Sequence, residues 1–196
     1  MKIGLDIDDV LVQTLSAVNY FYNRTQGTSL KLSDYTSYDW WEIWHCTRAQ
    51  SVDIFDEFNK TKEATRIKLV PGAKSALEKL SNEHDVVLIT SRPKSIEFQT
   101  QELLHYHFPK LPLRTIFSAD FHRGEHGKKK YEIAQAERVR LMVEDSAVYG
   151  LDCARVGIKT ILFPGPYHNG VQHPLVTNVS GWTEALNRIQ KLTKNP

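Results

Sequence analysis

Cysteine is scarce in this chain: Cys46 and Cys153 are the only two in 196 residues. They sit in unrelated contexts and build no metal-spaced motif, which excludes a disulfide-framed scaffold or a zinc-finger type of site. Two thiols in a reducing compartment is the reading favoured over a disulfide between them. Long apolar runs are missing too, since no stretch approaches the roughly 20 residues that carry a helix across a bilayer. The opening Met1-Lys2-Ile3-Gly4-Leu5-Asp6 meets an acidic residue at once, unlike a secretory leader. A cytoplasmic protein without membrane contact is therefore expected. Nor is there an excess of one charge: the formal net charge of +2 is too small to argue for a nucleic-acid polymer or an anionic surface as partner. The eight histidines show no ligand spacing, and no internal repeat or low-complexity tract is present. A 41% hydrophobic and 24% charged chain of this length fits one globular domain, or a domain with a modest insertion.

Five short apolar runs stand out: Lys2–Asp6, Val86–Thr90, Thr115–Ser118, Leu141–Glu144 and Thr160–Phe163. Each is continuous rather than alternating, as expected of strands covered on both faces. Helical patterns lie between them. Ala73, Ala76, Leu77 and Leu80 follow the starter Pro71-Gly72, and Trp182, Ala185, Leu186 and Ile189 repeat the spacing near the C-terminus. The alternation predicts an α/β fold with a Rossmann-like parallel sheet, its ligand beyond the carboxyl ends of the strands. About sixty residues separate the first strand from Val86, far more than one crossover helix needs. This segment is rich in aromatics, with Leu11, Leu15, Val18 and Tyr22 at helical spacing and a second helix expected over Asp53 to Lys62. It reads as a small helical cap spanning residues 13–69, inserted after the first strand into a core formed by 1–12 and 70–196.

The polar residues at the strand ends carry the chemistry. The first strand ends in Asp6-Ile7-Asp8-Asp9-Val10, the second in Thr90-Ser91-Arg92 and the fourth in Glu144-Asp145-Ser146, while Lys128-Lys129-Lys130 opens the helix before the fourth. In a parallel sheet these places converge on one crevice. Carboxylates gathered there repel one another unless a cation neutralises them, and hard oxygen ligands without His or Cys suit Mg²⁺. Such a site, faced by Thr and Lys, is arranged to bind and polarise a phosphoryl group. Asp6 can attack phosphorus to form an aspartyl-phosphate, and Asp8 can protonate the leaving oxygen and then activate water.

Asp6-x-Asp8-x-Val10, Thr90 after an apolar strand, Lys130, and Glu144-Asp145 resemble the four ordered motifs of the haloacid dehalogenase superfamily of phosphatases. Within it the chain is similar to the 5′(3′)-deoxyribonucleotidase-like group, through Asp6-Ile7-Asp8-Asp9-Val10-Leu11, Leu69-Val70-Pro71-Gly72-Ala73 and Leu88-Ile89-Thr90-Ser91-Arg92-Pro93. Ile161-Leu162-Phe163, Tyr167-His168-Asn169 and Trp182 extend the likeness into the tail. The resemblance implies Asp6 as nucleophile and Mg²⁺ ligand, and Asp8 as acid/base with its backbone carbonyl on the metal. It implies Thr90, Ser91 and Lys130 on the phosphoryl oxygens, and Asp145 as the remaining metal ligand. Lys130 is preferred to Lys128 and Lys129 by its spacing to Asp145. Asp9 departs from the small residue common at its position.

The implied substrate is a small phosphomonoester, foremost a 5′- or 3′-(deoxy)nucleoside monophosphate, with a sugar phosphate as the alternative. Trp40, Trp41 and Trp44 would either stack on a nucleobase or form the cap's own core with Phe55 and Phe58. Arg92 would either touch a second anionic or ribose group or pair on the surface, and His168 could edge the site from its loop. A non-enzymatic phospho-acceptor domain of the receiver type uses a similar set of groups. It needs its Asp after the third strand, where Ser118-Ala119-Asp120 lies, and has no use for the insertion.

Overall fold

The computed structural model describes residues 1–118, 127–168 and 170–194. Asp120, on which the receiver reading turns, and Asn169 of the tail lie outside the described residues. Six strands, β1 (Lys2–Leu5), β2 (Asp85–Thr90), β3 (Arg114–Phe117), β4 (Leu141–Glu144), β5 (Lys159–Leu162) and β6 (Val176–Asn178), form one sheet in the order β3-β2-β1-β4-β5-β6. Every pairing is parallel. Five strands coincide with the apolar runs to within a residue at each end. The sixth is an addition: Val176-Thr177-Asn178 is three half-buried or exposed residues on the rim, which carry no continuous apolar signal.

Alternate residues of β2 and β4 serve opposite faces. Leu88, Leu141 and Val143 join one core with Leu77, Leu80, Leu103, Trp182 and Ile189. These come from α4 (Ala73–Glu83), α5 (Glu97–His107) and α8 (Trp182–Lys194). Val87, Ile89 and Met142 join the other core with Ile133, Ala134 and Cys153, from α6 (Lys130–Ala136) and α7 (Ala147–Arg155). Helices cover both faces, so the strands have no polar side to show. The strand order reverses between β1 and β4, and the crevice at that reversal is where a doubly wound sheet takes its ligand.

The segment after β1 is helical: α1 (Thr14–Gln26), a short α2 (Trp40–Ile43) and α3 (Arg48–Asn59). Leu11 is buried but precedes α1, so the helical spacing read from it began a turn too early. α3 begins earlier than Asp53 because Thr47 and Gln50 form a reciprocal capping box. The two passages into this segment are tied together at its neck, where Gln13 N donates to Lys68 O at 2.8 Å and Val70 N to Leu11 O at 2.9 Å. Inside it, Trp44 stacks on Tyr22 with centroids 4.4 Å apart and donates through Nε1 to Tyr35 Oη at 3.0 Å. Among the described residues no helix is long and apolar enough to cross a membrane.

Candidate active site

Asp6 is the first residue beyond β1, and its N–H donates to Val143 O of β4 at 3.0 Å. The chain then turns sharply, with Leu11 N and Val12 N both donating to Ile7 O at 2.9 and 3.1 Å. Asp9 adopts φ 51°, a left-handed conformation that Asp tolerates better than most residues. From across the fold, Trp182 Nε1 donates to Val10 O at 2.8 Å. The loop after β1 is thus held by backbone turns and by the indole that opens α8.

Asp6, Glu144 and Asp145 offer carboxylate oxygens within 4.8 Å of one another, all buried. Lys130 Nζ lies 2.8 Å from Asp6 Oδ2 and 2.5 Å from Glu144 Oε1. Glu144 Oε2 accepts from the N–H groups of Asp145 and Ser146, both at 3.1 Å. Glu144 is therefore fully engaged, bracketing Lys130 against the loop after β4. Asp6 Oδ1 and Asp145 Oδ1 remain, buried and with no hydrogen-bond partner among the described residues. Among the described residues of this cluster, three carboxylates against one ammonium leave two negative charges over, which a divalent cation matches. Two orphaned hard oxygens, in a carboxylate cluster that holds no His or Cys among the described residues, fit Mg²⁺. Burial, reinforced by Glu144 and Asp8 and only partly answered by Lys130, pushes the Asp6 carboxyl up to about 8. Burial and then the charges of Glu144 and Asp6 push Asp145 well above the carboxylate range. Lys130 loses solvation, but Asp6 and Glu144 hold it as an ammonium.

Asp8 is differently placed. Burial works against its charge, yet Arg92 and the hydroxyl of Thr14 hold it below the usual carboxylate range. Arg92 donates to it through Nε and Nη2, the latter at 2.8 Å. This corrects the surface reading of Arg92, which is buried at 5% exposure. Asp9 accepts from Leu15 N at 3.2 Å and so caps α1 from a distance. Burial and then the charge of Asp8 push Asp9 up to about 7.

Of the two hydroxyls after β2, Thr90 is fully buried and accepts from Arg92 N at 3.1 Å, while Ser91 lines the cleft. Of the three lysines, Lys130 alone is buried; Lys128 and Lys129 are exposed. The cleft above the carboxylates encloses about 900 Å³, counted to its open mouth. Trp40, Trp41 and Trp44 all line it, but they are not equivalent. Trp44 is 5% exposed and belongs to the core of the helical segment. Trp40 packs on Tyr35, Trp44 and Phe55, with centroids about 6 Å apart. Trp41 is half-buried, with the Arg48 guanidinium 5.6 Å from its ring centroid.

Two tyrosines at the cleft, Tyr38 and Tyr149, escaped the sequence reading, whereas Tyr167 and His168 were named in it. Tyr38 reaches from the helical segment to Tyr149 of α7 and Tyr167, with centroids 6.3 and 5.0 Å away. Burial and the nearby Asp145 raise its phenol's pKa. His168 accepts from Gly170 N at one ring nitrogen, so the other donates to Asp145 O, 2.9 Å away. Nothing in the local pattern marks Tyr38 or Tyr149, because their meeting depends on which elements the sheet brings together.

The family model of the 5′ nucleotidase, deoxy (pyrimidine), cytosolic type C protein matches residues 1–126. YqfW of Bacillus subtilis, provisionally named a nucleotidase, is 26% identical over 192 residues, spanning 95% of this chain and 92% of its own. Among solved structures, the haloacid dehalogenase-like hydrolase SP0104 of Streptococcus pneumoniae superposes with a TM-score of 0.67 at 17% identity, covering 96% of this chain and 98% of its own. A haloacid dehalogenase family hydrolase of Deinococcus radiodurans, with bound phosphate and sodium, gives 0.64 at 15% identity, covering 97% and 95%. With more than half of the chain matched by that model, the chain belongs to the family of 5′ nucleotidase, deoxy (pyrimidine), cytosolic type C proteins, and it shares the fold of haloacid dehalogenase-like hydrolases.

Proposed function

We propose that this chain is a Mg²⁺-dependent nucleotidase, working in the cytoplasm, that removes phosphate from 5′- or 3′-(deoxy)nucleoside monophosphates through an aspartyl-phosphate on Asp6. The observation that carries the reading is the pair of orphaned oxygens, Asp6 Oδ1 and Asp145 Oδ1, on the floor of an aromatic cleft. Asp6, Asp145 and the backbone carbonyl of Asp8 would hold the cation. When bound, Mg²⁺ neutralises the carboxylates and draws charge from the phosphoryl oxygens. Lys130 and Ser91 face those oxygens, with Thr90 fixing the turn behind them. The Asp6 carboxylate attacks phosphorus as the ester P–O bond breaks; Asp8, an ionised carboxylate in the free protein, takes up a proton as the phosphate anion enters beside it and passes that proton to the departing oxygen. The Asp8 carboxylate then takes a proton from the water that attacks the aspartyl-phosphate, which frees inorganic phosphate and restores Asp6.

The cap formed by residues 13–69 supplies the substrate's apolar surroundings. Trp40, Trp41 and Phe55 present flat faces to the cleft, suited to a nucleobase. The family's name, which specifies pyrimidine deoxynucleotides, points the same way. The two free thiols agree with a reducing compartment.

A panel of nucleoside monophosphates and sugar phosphates, assayed for phosphate release with Mg²⁺ and with Asp6→Asn as blank, tests this. Repeated turnover of pyrimidine nucleotides, at least about tenfold above any sugar phosphate in kcat/KM, is expected. Faster turnover of a sugar phosphate would overturn the nucleotide assignment and leave the phosphatase.

A further inference from the structure

Arg92 offers its fork to a residue of the protein, where the substrate might have been expected. Its side chain is 4% exposed against 25% for Asp8. Nη2 donates to Asp8 Oδ1 at 2.8 Å, and Nε lies 3.1 Å from both carboxylate oxygens. The guanidinium is therefore filled side-on, the geometry in which arginine fixes a carboxylate most firmly. Nη1 turns the other way and lies 3.5 Å from Thr100 Oγ1 of α5, while the Arg92 N–H is held by Thr90 Oγ1 at 3.1 Å. Both ends of the residue are anchored in the core. A substrate anion could reach the fork only by expelling Asp8. From the opposite side Thr14 Oγ1, on the first residue of α1, donates to Asp8 Oδ1. One carboxylate is thus gripped by the loop after β2 and by the first turn of the cap.

We propose that Arg92 is a positioning residue, which fixes the Asp8 carboxylate where the leaving oxygen departs and does not itself touch the substrate. This deepens the nucleotidase reading and rests on it. A consequence follows that a merely structural arginine would not have. An acid at the leaving oxygen matters most when that oxygen is strongly basic. A nucleoside departing as an alkoxide needs the proton; a nitrophenolate scarcely does. Misplacing Asp8 therefore slows nucleotide hydrolysis far more than aryl phosphate hydrolysis.

Steady-state kinetics on thymidine 5′-monophosphate and p-nitrophenyl phosphate test this with wild type, Arg92→Gln, Arg92→Lys, Asp8→Asn and the Asp8→Asn/Arg92→Gln double variant. Arg92→Gln is expected to lower kcat on the nucleotide by about 10²-fold with KM nearly unchanged, and on the aryl phosphate by less than about tenfold. Arg92→Lys should recover part of the loss. In the Asp8→Asn background the arginine change should cost nothing further, because the residue through which it acts is gone. Should Arg92→Gln fail to fold, Thr14→Val loosens the same carboxylate from the other side and should show the same substrate asymmetry at smaller size. A nucleotide KM raised tenfold with kcat retained would make Arg92 a substrate ligand, and equal losses on both substrates would make it only structural; either overturns the proposal. Wild type inactive on both substrates would remove the nucleotidase reading and this inference with it, whereas an active wild type confines a negative result to Arg92.

Discussion

A single residue, Ile7, separates Asp6 from Asp8, yet burial acts on them with different outcomes. Asp6 loses solvation, meets Glu144 and Asp8, and has one ammonium in return, so its carboxyl rises to about 8. Asp8 loses solvation as well, but the Arg92 fork and the Thr14 hydroxyl outweigh that loss and keep it ionised. This difference separates the effects of changing them. Asp8→Asn should reduce turnover by about 10²-fold or more, while the rise in Tm on adding Mg²⁺ persists, because the side chain is not among the orphaned oxygens. Loss of that rise would place the Asp8 carboxylate on the metal. Lys130 is the other sensitive point. Lys130→Met leaves Asp6 and Glu144 buried without their cation, and a loss of about 3–5 kcal/mol in urea denaturation is expected without metal. A loss below 1 kcal/mol would mean that the two carboxylates simply take up protons. Asp6, Lys130 and Asp145 could be read from the sequence because each stands at a strand end or helix start that the topology sends to one crevice. The Asp8–Arg92 pair could not, since it joins residues 84 positions apart and leaves no local pattern.

Among the elements, the helical segment after β1 holds its aromatics in two different settings. Trp44 is enclosed by Tyr22, Tyr35 and Trp40 and holds the segment together. Trp41 is half-buried at the cleft wall. Trp44→Ala should therefore destabilise the protein by about 3–5 kcal/mol in urea denaturation, as a large core truncation does. Trp41→Ala should cost less than 1 kcal/mol of stability, yet raise KM for a nucleoside monophosphate about tenfold and leave that for p-nitrophenyl phosphate unchanged, since stacking on a base contributes roughly 1–3 kcal/mol. Equal KM changes for both substrates would remove Trp41 from the base. Composition alone left these tryptophans equivalent, because any aromatic at helical spacing suits a core as well as a slot. The sheet was more legible. β1, β4 and their neighbours are covered on both faces and read as unbroken apolar runs, whereas β6 at the rim needs no such run. The start of α3 was missed for a different reason: its signal is the Thr47–Gln50 cap, which precedes the apolar residues.

At the scale of the whole molecule, the site is a concentration of unbalanced negative charge built into the centre of the sheet, so stability, pH and metal are linked. Asp6 is pushed up to about 8 and Asp9 up to about 7, while Asp145 is raised as well, all first by burial. A carboxyl raised on folding binds more protons in the native state than in the unfolded chain. The stability gained from it is therefore full below the unfolded-chain value and lost as pH rises through the window from about 4 to 8. Asp8 runs the other way, but its contribution is complete above the ordinary carboxylate range and disappears only in acid. Without divalent metal, Tm should fall by several degrees between about pH 5 and pH 8. A bound Mg²⁺ takes the place of those protons, so its stabilising effect should grow over the same interval and remove most of the slope. Thermal denaturation in EDTA and in excess Mg²⁺ across this range measures both trends. Asp6→Asn supplies the control, because an uncharged amide removes a titrating group and a ligand together, and both the slope and its rescue should shrink. A metal-free Tm that stayed level or rose towards pH 8 would mean that the carboxylates are already balanced by groups other than a cation, and the case for a divalent ion between Asp6 and Asp145 would fall with it.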